Sequence, residues 1–308
     1  MEKLTFGVIT YNQENFILDH LNSIKYQIEN YGEKYSCRLI ISDDCSSDNT
    51  VDIAKAWIGQ NRNLFYDVVV HSSEINQGIV KNYVNASKMI DTEKYKILAG
   101  DDVYYKNNIF EIFDSNYDIV LTPILAFNDA GGMDLGEQYR FKEMLIQDDL
   151  KGFVSNRLKY SNCIDAPGVF LKHSLFDSGM ISYLMDYTWV EDVPMWNYLF
   201  NKESLKVKIV SKIYVLYRAN VGVSNNKAHT KRSGFESDEY KIVSNIHTLR
   251  DKFPYSMFRR WGNSFFKRVV KHYYNDHNGD ICAFNKEIKN AENEMGEYLQ
   301  YIFSMSIK

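Results

Sequence analysis

Apolar and polar positions follow two different periods through the first 125 residues. Short apolar runs at Leu4–Thr10, Cys37–Ser42 and Tyr66–His71 have the length of buried strands. Residues 14–29 and 79–90 instead place apolar side chains three or four positions apart, as one face of a helix requires. The same two periods predict further strands at Tyr95–Ala99 and Ile119–Ile124 and a short helix near 107–113. They also predict a helix after the second strand, capped by Asp48 or Ser47.

This strand–helix alternation predicts an α/β fold with a mostly parallel central sheet and helices on both faces. In such sheets, ligands bind beyond the carboxyl ends of the strands. The regularity fades after residue 125, although 208–217 has the composition of another strand. From about residue 236 the pattern is helical to the end, with a break at Pro254.

Composition narrows the class of protein. The four cysteines are scattered without paired spacing, so neither a zinc site nor a disulfide framework is indicated. No apolar run is long enough to span a bilayer, and we expect a cytoplasmic protein. Lysine and arginine far outnumber acidic residues in 205–272 although the net charge is −4. This basic stretch suits an anionic partner, or it is simply a solvated face.

Polar and acidic residues follow the predicted strands where the first, second and fourth of them end. These residues are Thr10, Tyr11, Asn12, Asp43, Asp44, Asp101 and Asp102. Because the carboxyl ends of parallel strands meet at one edge, we expect these groups to lie close together. Adjacent carboxylates repel, and Mg²⁺ or Mn²⁺, which prefer oxygen ligands, would relieve that repulsion. The alternative is a set of solvated aspartates in turns and helix caps.

Five segments in fixed order resemble the family-two glycosyltransferases of the GT-A fold. They read VITYNQENF, LIISDDCSSDNT, NQGIVKNYVNAS, LAGDDVY and WVEDVPMW, and the second is similar to the family's DDGSTDNT turn. The resemblance covers residues 1–225 and implies a Rossmann-like nucleotide-sugar-binding domain there. Residues 1–125 would form its nucleotide-binding half and 126–225 its acceptor-binding half, followed by a helical C-terminal extension at 226–308.

The resemblance also implies roles for individual residues. Asp43 would accept the pyrimidine N3–H of a nucleotide sugar, and Gly78 would let the backbone approach the nucleoside. Asp101 and Asp102 match the acidic motif that holds Mn²⁺ or Mg²⁺ against the diphosphate. The donor-binding positions implied in this way are Thr10, Tyr11, Asn12, Asp43, Asn76, Gly78, Lys81 and Asp101.

The segment Glu191-Asp192 resembles the family's catalytic acidic pair. Asp192 would be the general base that takes the proton of an acceptor hydroxyl, with Glu191 orienting the acceptor or the loop. The alternative is that the two acids only favour the start of a helix through its dipole. Both can hold together, since a base at a helix start fits either role.

Two departures from the family pattern concern the metal. The outermost aspartate of the DxD motif is absent, because Ala99 and Gly100 precede the acidic pair. The family's YRxH stretch reads Tyr217-Arg218-Ala219-Asn220 here, with asparagine at the histidine position. The identity of the metal ligands therefore stays open, and metal affinity without the nucleotide sugar is expected to be weak.

The resemblance implies an inverting, metal-dependent transferase of bacterial surface polysaccharide (capsule-type) assembly. The donor would be a UDP- or dTDP-sugar, the acceptor a glycan or lipid-linked saccharide, and no nucleic acid is expected. Residues 258–274 alternate aromatic and basic side chains, which suits peripheral contact with the inner face of the membrane, packing on the catalytic domain, or a homo-oligomer interface.

Other classes of protein remain as alternatives. These are a non-catalytic nucleotide-sugar-binding module and a magnesium-dependent phosphatase or nucleotidyltransferase. A phosphatase would need a nucleophilic aspartate at the end of the first strand, which ends in Thr10-Tyr11-Asn12 instead. The absence of GxGxxG disfavours a dinucleotide-dependent oxidoreductase.

Overall fold

The computed structural model describes residues 1–128, 133–134, 139–219, 221, 233–249 and 279–307. The strands are β1 (Glu2–Thr10), β2 (Tyr35–Asp43), β3 (Asp67–Ser72), β4 (Lys94–Ala99), β5 (Val103–Tyr104), β6 (Ile119–Leu121), β7 (Ile124–Phe127), β8 (Met133–Asp134), β9 (Val169–Leu171), β10 (Val207–Ile209) and β11 (Val215–Arg218). The helices are α1 (Ile17–Tyr31), α2 (Thr50–Asn61), α3 (Ile79–Met89), α4 (Phe110–Phe113), α5 (Tyr139–Leu145), α6 (Leu150–Leu158), α7 (Ser178–Leu184), α8 (Asp192–Phe200), α9 (Ser233–Lys241) and α10 (Gly279–Ser304).

The central sheet has the strand order β3-β2-β1-β4, and all four strands run parallel. Side chains of β1 alternate between two cores, as the two-residue period of a strand requires. Phe6 and Val8 pack with Leu21 of α1 and Trp57 of α2 on one face. Ile9 packs on the other face with residues of α3 and α8. The predicted α/β fold with a mostly parallel sheet and helices on both faces is therefore confirmed.

Two predicted strands are each divided into two. The stretch 119–124 forms β6 and β7, which belong to different small sheets with the orders β10-β6-β9 and β5-β11-β7-β8. Pro123 lies between them and has no N–H for a sheet ladder. The stretch 208–217 likewise divides into β10, parallel to β6, and β11, parallel to β7. Apolar content predicted strands at both places but did not show where the chain leaves one sheet for the next.

The predicted cap of α2 also differs. Asn49 is the N-cap residue and makes no capping hydrogen bond with its side chain. Asp48 instead bridges two segments: its carboxylate accepts from Thr50 N at 3.0 Å and from Glu14 N at 3.1 Å. The side chain thus fastens the loop after β1 to the loop before α2.

Helix α10 packs on the sheet that contains β5, β7 and β11. Its Met295 and Leu299 share a core with Val103, Leu125 and Leu216. The hydroxyl of Tyr298 donates to the backbone oxygen of Tyr104 at 2.6 Å. The helical C-terminal region is therefore built into the body of the protein. The predicted domain boundary near residue 225, like segment 258–274, falls outside the described residues, so the domain division stays a prediction.

Candidate active site

The carboxyl ends of β1, β2 and β4 lie side by side. Thr10 is in register with Asp43, and Ile9 is in register with Ala99. Two backbone hydrogen bonds continue this alignment beyond the strands: Asp44 N donates to Thr10 O at 2.9 Å, and Gly100 N donates to Ile9 O at 3.0 Å. The polar residues that follow these strands therefore share one edge of the sheet.

Asp43 is fully buried at this edge. Its carboxylate accepts hydrogen bonds from Ser46 N at 2.9 Å and from the Ser72 hydroxyl at 2.8 Å. The turn after β2 and the end of β3 thus fix the orientation of the side chain. The Ser46 hydroxyl also donates to Asp43 Oδ1, which leaves one lone-pair site of this carboxylate, on Oδ1, for a further N–H.

The loop after β1 is tied to the loop after β2. Asn12 has a left-handed backbone with φ 51°, its N–H donates to Ser46 Oγ at 2.8 Å, and its side-chain oxygen accepts from Ser47 N at 2.8 Å. Tyr11 beside it is half-buried, and the buried Thr10 hydroxyl has no hydrogen-bond partner among the described residues. Asn12 therefore holds the loop in shape, while Thr10 and Tyr11 line the edge.

Asp44, which the sequence places at this edge without indicating a role, connects the edge to the loop before α3. Its carboxylate accepts from Gln77 N at 2.8 Å and from Gly78 N at 2.9 Å. Burial raises the pKa of Asp44, and these two hydrogen bonds oppose the shift. The carboxylate therefore fixes the backbone of that loop at Gln77 and Gly78. Its signal in the sequence was only its place beside Asp43.

Gly78 has φ +90° and brings two loops into contact. A Cβ on this residue would lie 2.6 Å from the backbone oxygen of Thr188, so only glycine fits without a shift. Thr188 O also accepts from Val80 N at 3.2 Å. Asn76 and Lys81, by contrast, are exposed. The contact links the loop before α3 to the segment that leads into Glu191.

The acidic pair is buried at the end of β4, with Asp101 7% and Asp102 2% exposed. Burial raises the pKa of both side chains, and the charge of Asp101 raises that of Asp102 further. Two cations lie near and offset part of this cost. Arg218 N donates to Asp102 Oδ1 at 3.0 Å, and Lys96 is buried close by with its Nζ donating to Val169 O at 2.6 Å. Burial lowers the pKa of Lys96 to about 7, although the negative charge of Asp102 acts to raise it.

Glu191 and Asp192 lie at the start of α8. Asp192 accepts from Asn162 Nδ2 at 3.0 Å and from its own helix at Val193 N at 2.7 Å. Burial raises the pKa of Glu191 to about 8, with the neighbouring Asp192 adding to the shift. Burial also raises the pKa of Asp192 to about 6, while the Val193 and Asn162 hydrogen bonds oppose the shift. Burial therefore disfavours the ionised form of both acids.

One cavity of about 100 Å³ joins the two acidic motifs. Asp102 and Glu191 both line it, although they are far apart in the sequence. Its walls are mainly apolar and include Tyr83, Tyr95 and Trp196. The structure thus brings the end of β4 and the start of α8 to a shared space, next to the edge that carries Thr10 and Asp43.

The donor set at this edge fits a divalent cation that takes part of its ligands from a substrate. Asp101 and Asp102 supply hard oxygen donors, which Mg²⁺ and Mn²⁺ prefer, and burial leaves their charges only partly compensated. Among the described residues no cluster of three or more His, Cys, Asp or Glu side chains forms a metal site. Asn220, at the position of the family histidine, falls outside the described residues.

Comparison with known proteins decides the family. The sequence profile "Glycosyl transferase family 2" matches residues 5–168, more than half of the chain. The chain belongs to glycosyl transferase family 2. The family and the enzyme class predicted from the five segments are therefore confirmed, and the protein is a glycosyltransferase.

Solved structures agree with the GT-A fold of this glycosyltransferase. S. aureus TarS 1–349 in complex with UDP-GlcNAc has TM-score 0.54 and 19% identity, covering 89% of this chain and 74% of that one. TarS 1–349 in complex with UDP has TM-score 0.53 and 20% identity, covering 82% of this chain and 73% of that one. No curated protein matches the sequence. Among the described residues of the glycosyltransferase, no helix has the length and apolar character to cross a membrane.

Proposed function

We propose that this glycosyltransferase is an inverting, metal-dependent enzyme that moves a sugar from a UDP- or dTDP-sugar to a glycan or lipid-linked saccharide in surface polysaccharide biosynthesis. The observation that supports this most directly is the cavity shared by Asp102 and Glu191. A donor diphosphate held at the first residue and an acceptor held near the second would meet across that space.

Asp192 is our choice of general base. The acceptor oxygen attacks C1 from the face opposite the diphosphate, the C1–O bond to phosphate breaks, and its electron pair leaves with the nucleotide. The hydroxyl proton passes to the Asp192 carboxylate, assistance that is typically worth about 10²–10⁴-fold. A pKa near 6 keeps Asp192 ionised at neutral pH yet more basic than an ordinary aspartate. Burial and the charge of Asp192 favour the protonated form of Glu191 by raising its pKa, and in that form it would donate a hydrogen bond that orients the acceptor.

The donor would lie along the edge formed by β1, β2 and β4. Asp43 would accept the pyrimidine N3–H, and the residues around it would enclose the nucleoside: Thr10, Tyr11, Asn12, Asn76, Gly78, Lys81 and Asp101. TarS structures contain UDP-GlcNAc and UDP, so we take uridine as the first nucleotide to test. Asp101 and Asp102 would hold Mn²⁺ or Mg²⁺, which would neutralise charge on the departing diphosphate.

The test is release of free UDP or dTDP from a panel of donor sugars with Mn²⁺ and saccharide acceptors. Asp192→Asn should lower kcat by about 10²–10⁴-fold, whereas Glu191→Gln should mainly raise the acceptor KM. Asp149→Asn is the matched control, because Asp149 also accepts a backbone N–H at the start of a helix, as the N-cap residue of α6, but is exposed. Nucleotide binding without turnover would favour a binding module. If instead Glu191→Gln lowers kcat by that factor and Asp192→Asn mainly raises the acceptor KM, Glu191 is the base.

A further inference from the structure

Arg218 is a buried cation directly behind the acidic pair. It is 2% exposed, and both its backbone and its side chain contact the pair. Its N–H donates to Asp102 Oδ1 at 3.0 Å, and its Nε donates to the backbone oxygen of Asp101 at 2.9 Å. One residue therefore fixes the carboxylate of Asp102 and the main chain of Asp101.

The guanidinium is itself held by charge and by aromatic rings. Nη2 donates to Asp19 Oδ2 at 2.8 Å, an ion pair between two largely buried side chains. The guanidinium carbon lies 4.7 Å from the ring centres of Phe16 and Phe127 and 5.6 Å from that of Phe303. Cation–π attraction of this kind is stronger when the cation is desolvated, as Arg218 is here.

The segment at the end of α10 completes this arrangement. Phe303 supplies one of the three rings, and Ser306 Oγ donates to Asp19 Oδ1 at 3.1 Å. Asn22 Nδ2 donates to the same Ser306 oxygen at 2.9 Å, which fixes the hydroxyl. Asp19 thus has one oxygen on Arg218 and the other on residue 306. The C-terminal helix reaches the acidic pair through two side chains.

This arrangement holds Arg218 away from the substrate. An arginine that binds a diphosphate directly has to present its fork to the cleft, whereas this one is enclosed by the protein. Its contacts instead restrict the rotation of Asp102 and the path of the chain at Asp101. Groups that orient metal-binding carboxylates typically change metal affinity by about 10–100-fold when they are mutated.

We propose that Arg218 is a positioning residue for the Asp101–Asp102 pair, and that residues 303–306 complete the cage of Asp19, Phe16 and Phe127 that holds it. The proposal rests on the proposed function in that it takes this pair as the metal–diphosphate site. It makes the C-terminal helix part of the donor site although that helix does not line the cleft. In the sequence, Arg218 stands out only as part of the stretch Tyr217-Arg218-Ala219-Asn220, in which the departure from the family pattern is at position 220.

The experiment measures UDP binding by calorimetry with and without Mn²⁺. Arg218→Lys keeps the charge but loses the planar fork that reaches Asp101 and Asp19 together. We expect it to reduce the Mn²⁺-dependent gain in UDP affinity by about tenfold or more, while UDP affinity without metal changes by less than about threefold. Phe303→Leu and Ser306→Ala should reduce the gain in the same direction by a smaller factor, without leaving a buried charge unpaired.

Arg38→Lys is the matched control. Arg38 also joins a carboxylate, Asp67 at 2.8 Å, to a backbone oxygen, that of Met89 at 2.8 Å, but at the opposite end of the sheet. It should leave the Mn²⁺-dependent gain unchanged. If all the variants fold and keep that gain, or lose UDP affinity equally with and without metal, the positioning role is wrong. A wild-type protein without any Mn²⁺-dependent gain would overturn the metal site itself along with it.

Discussion

Replacing Gly78 with alanine tests how the site is assembled. The residue has φ +90°, and the new Cβ would lie 2.6 Å from Thr188 O, a backbone atom that cannot rotate away. With ψ 162° as well, Gly78 lies in a region that is essentially restricted to glycine, and this conformation alone costs an alanine about 1–3 kcal/mol. Relief of the contact would weaken the bonds from Gly78 N to Asp44 and from Val80 N to Thr188, each worth about 1 kcal/mol. We expect Gly78→Ala to lower the free energy of unfolding by about 3 kcal/mol or more.

The assay is urea denaturation followed by circular dichroism, together with donor turnover under conditions in which the variant is folded. Because the displaced loop contacts Thr188, close to Glu191, kcat should fall by about tenfold or more. Gly59→Ala is the control: that glycine lies within α2 and has no atom within 4 Å of a new Cβ. It should raise stability by about 0.5–1 kcal/mol through its helix propensity. Equal effects of the two substitutions would refute the steric argument.

Three further outcomes are expected. Burial raises the pKa of Asp192 to about 6, and a base acts only when ionised, so kcat should rise with pH through about 6; a midpoint near 4 would contradict this. Asp102→Asn should raise the metal-free melting temperature, because it removes a buried charge next to Asp101, and it should abolish the Mn²⁺ dependence of UDP binding; a lowered melting temperature would count against the buried-charge reasoning. Asp43→Ala should narrow the preference for UDP over ADP measured by competition, since the N3–H acceptor is lost; an unchanged preference would remove Asp43 from base recognition.

The sequence was sufficient for the central sheet because its strands are buried on both faces and separated by amphipathic helices. The predicted starts and ends of β1, β2 and β4 differ from the observed ones by no more than two residues. Prediction was weaker for short strands, whose sheet is decided by the neighbouring strand with which they pair. Residues 119–124 and 208–217 each contain a change of sheet, and apolar content carries no information about which neighbour a strand pairs with.

The site residues divide in a similar way. Asp43, Asp101 and Asp192 stood in motifs, so their positions were found, while their roles stay predictions. Asp44 and Arg218 act through contacts with distant segments, which no local pattern records. The turn after β2 illustrates the difference: Cys45 has φ 65° at the position where the resembling family turn has glycine. The backbone conformation is retained there although the residue type is not.

The charges of the Asp101–Asp102 pair and of Arg218 in its cage have to be considered together, because they lie in direct contact. A buried pair of adjacent carboxylates is costly in the free protein, because burial and mutual repulsion both disfavour ionisation. Full compensation by fixed protein cations would remove that cost and would also remove the attraction for a divalent ion. Arg218 supplies partial compensation from behind, where burial and its bond to the Asp101 backbone keep it out of the cavity. Lys96 adds to this compensation from the wall of the cavity, where its Nζ donates to the backbone oxygen of Val169. In the proposed function, the remaining compensation would come from a divalent cation bound with the diphosphate, and donor binding would then be the step that relieves the repulsion.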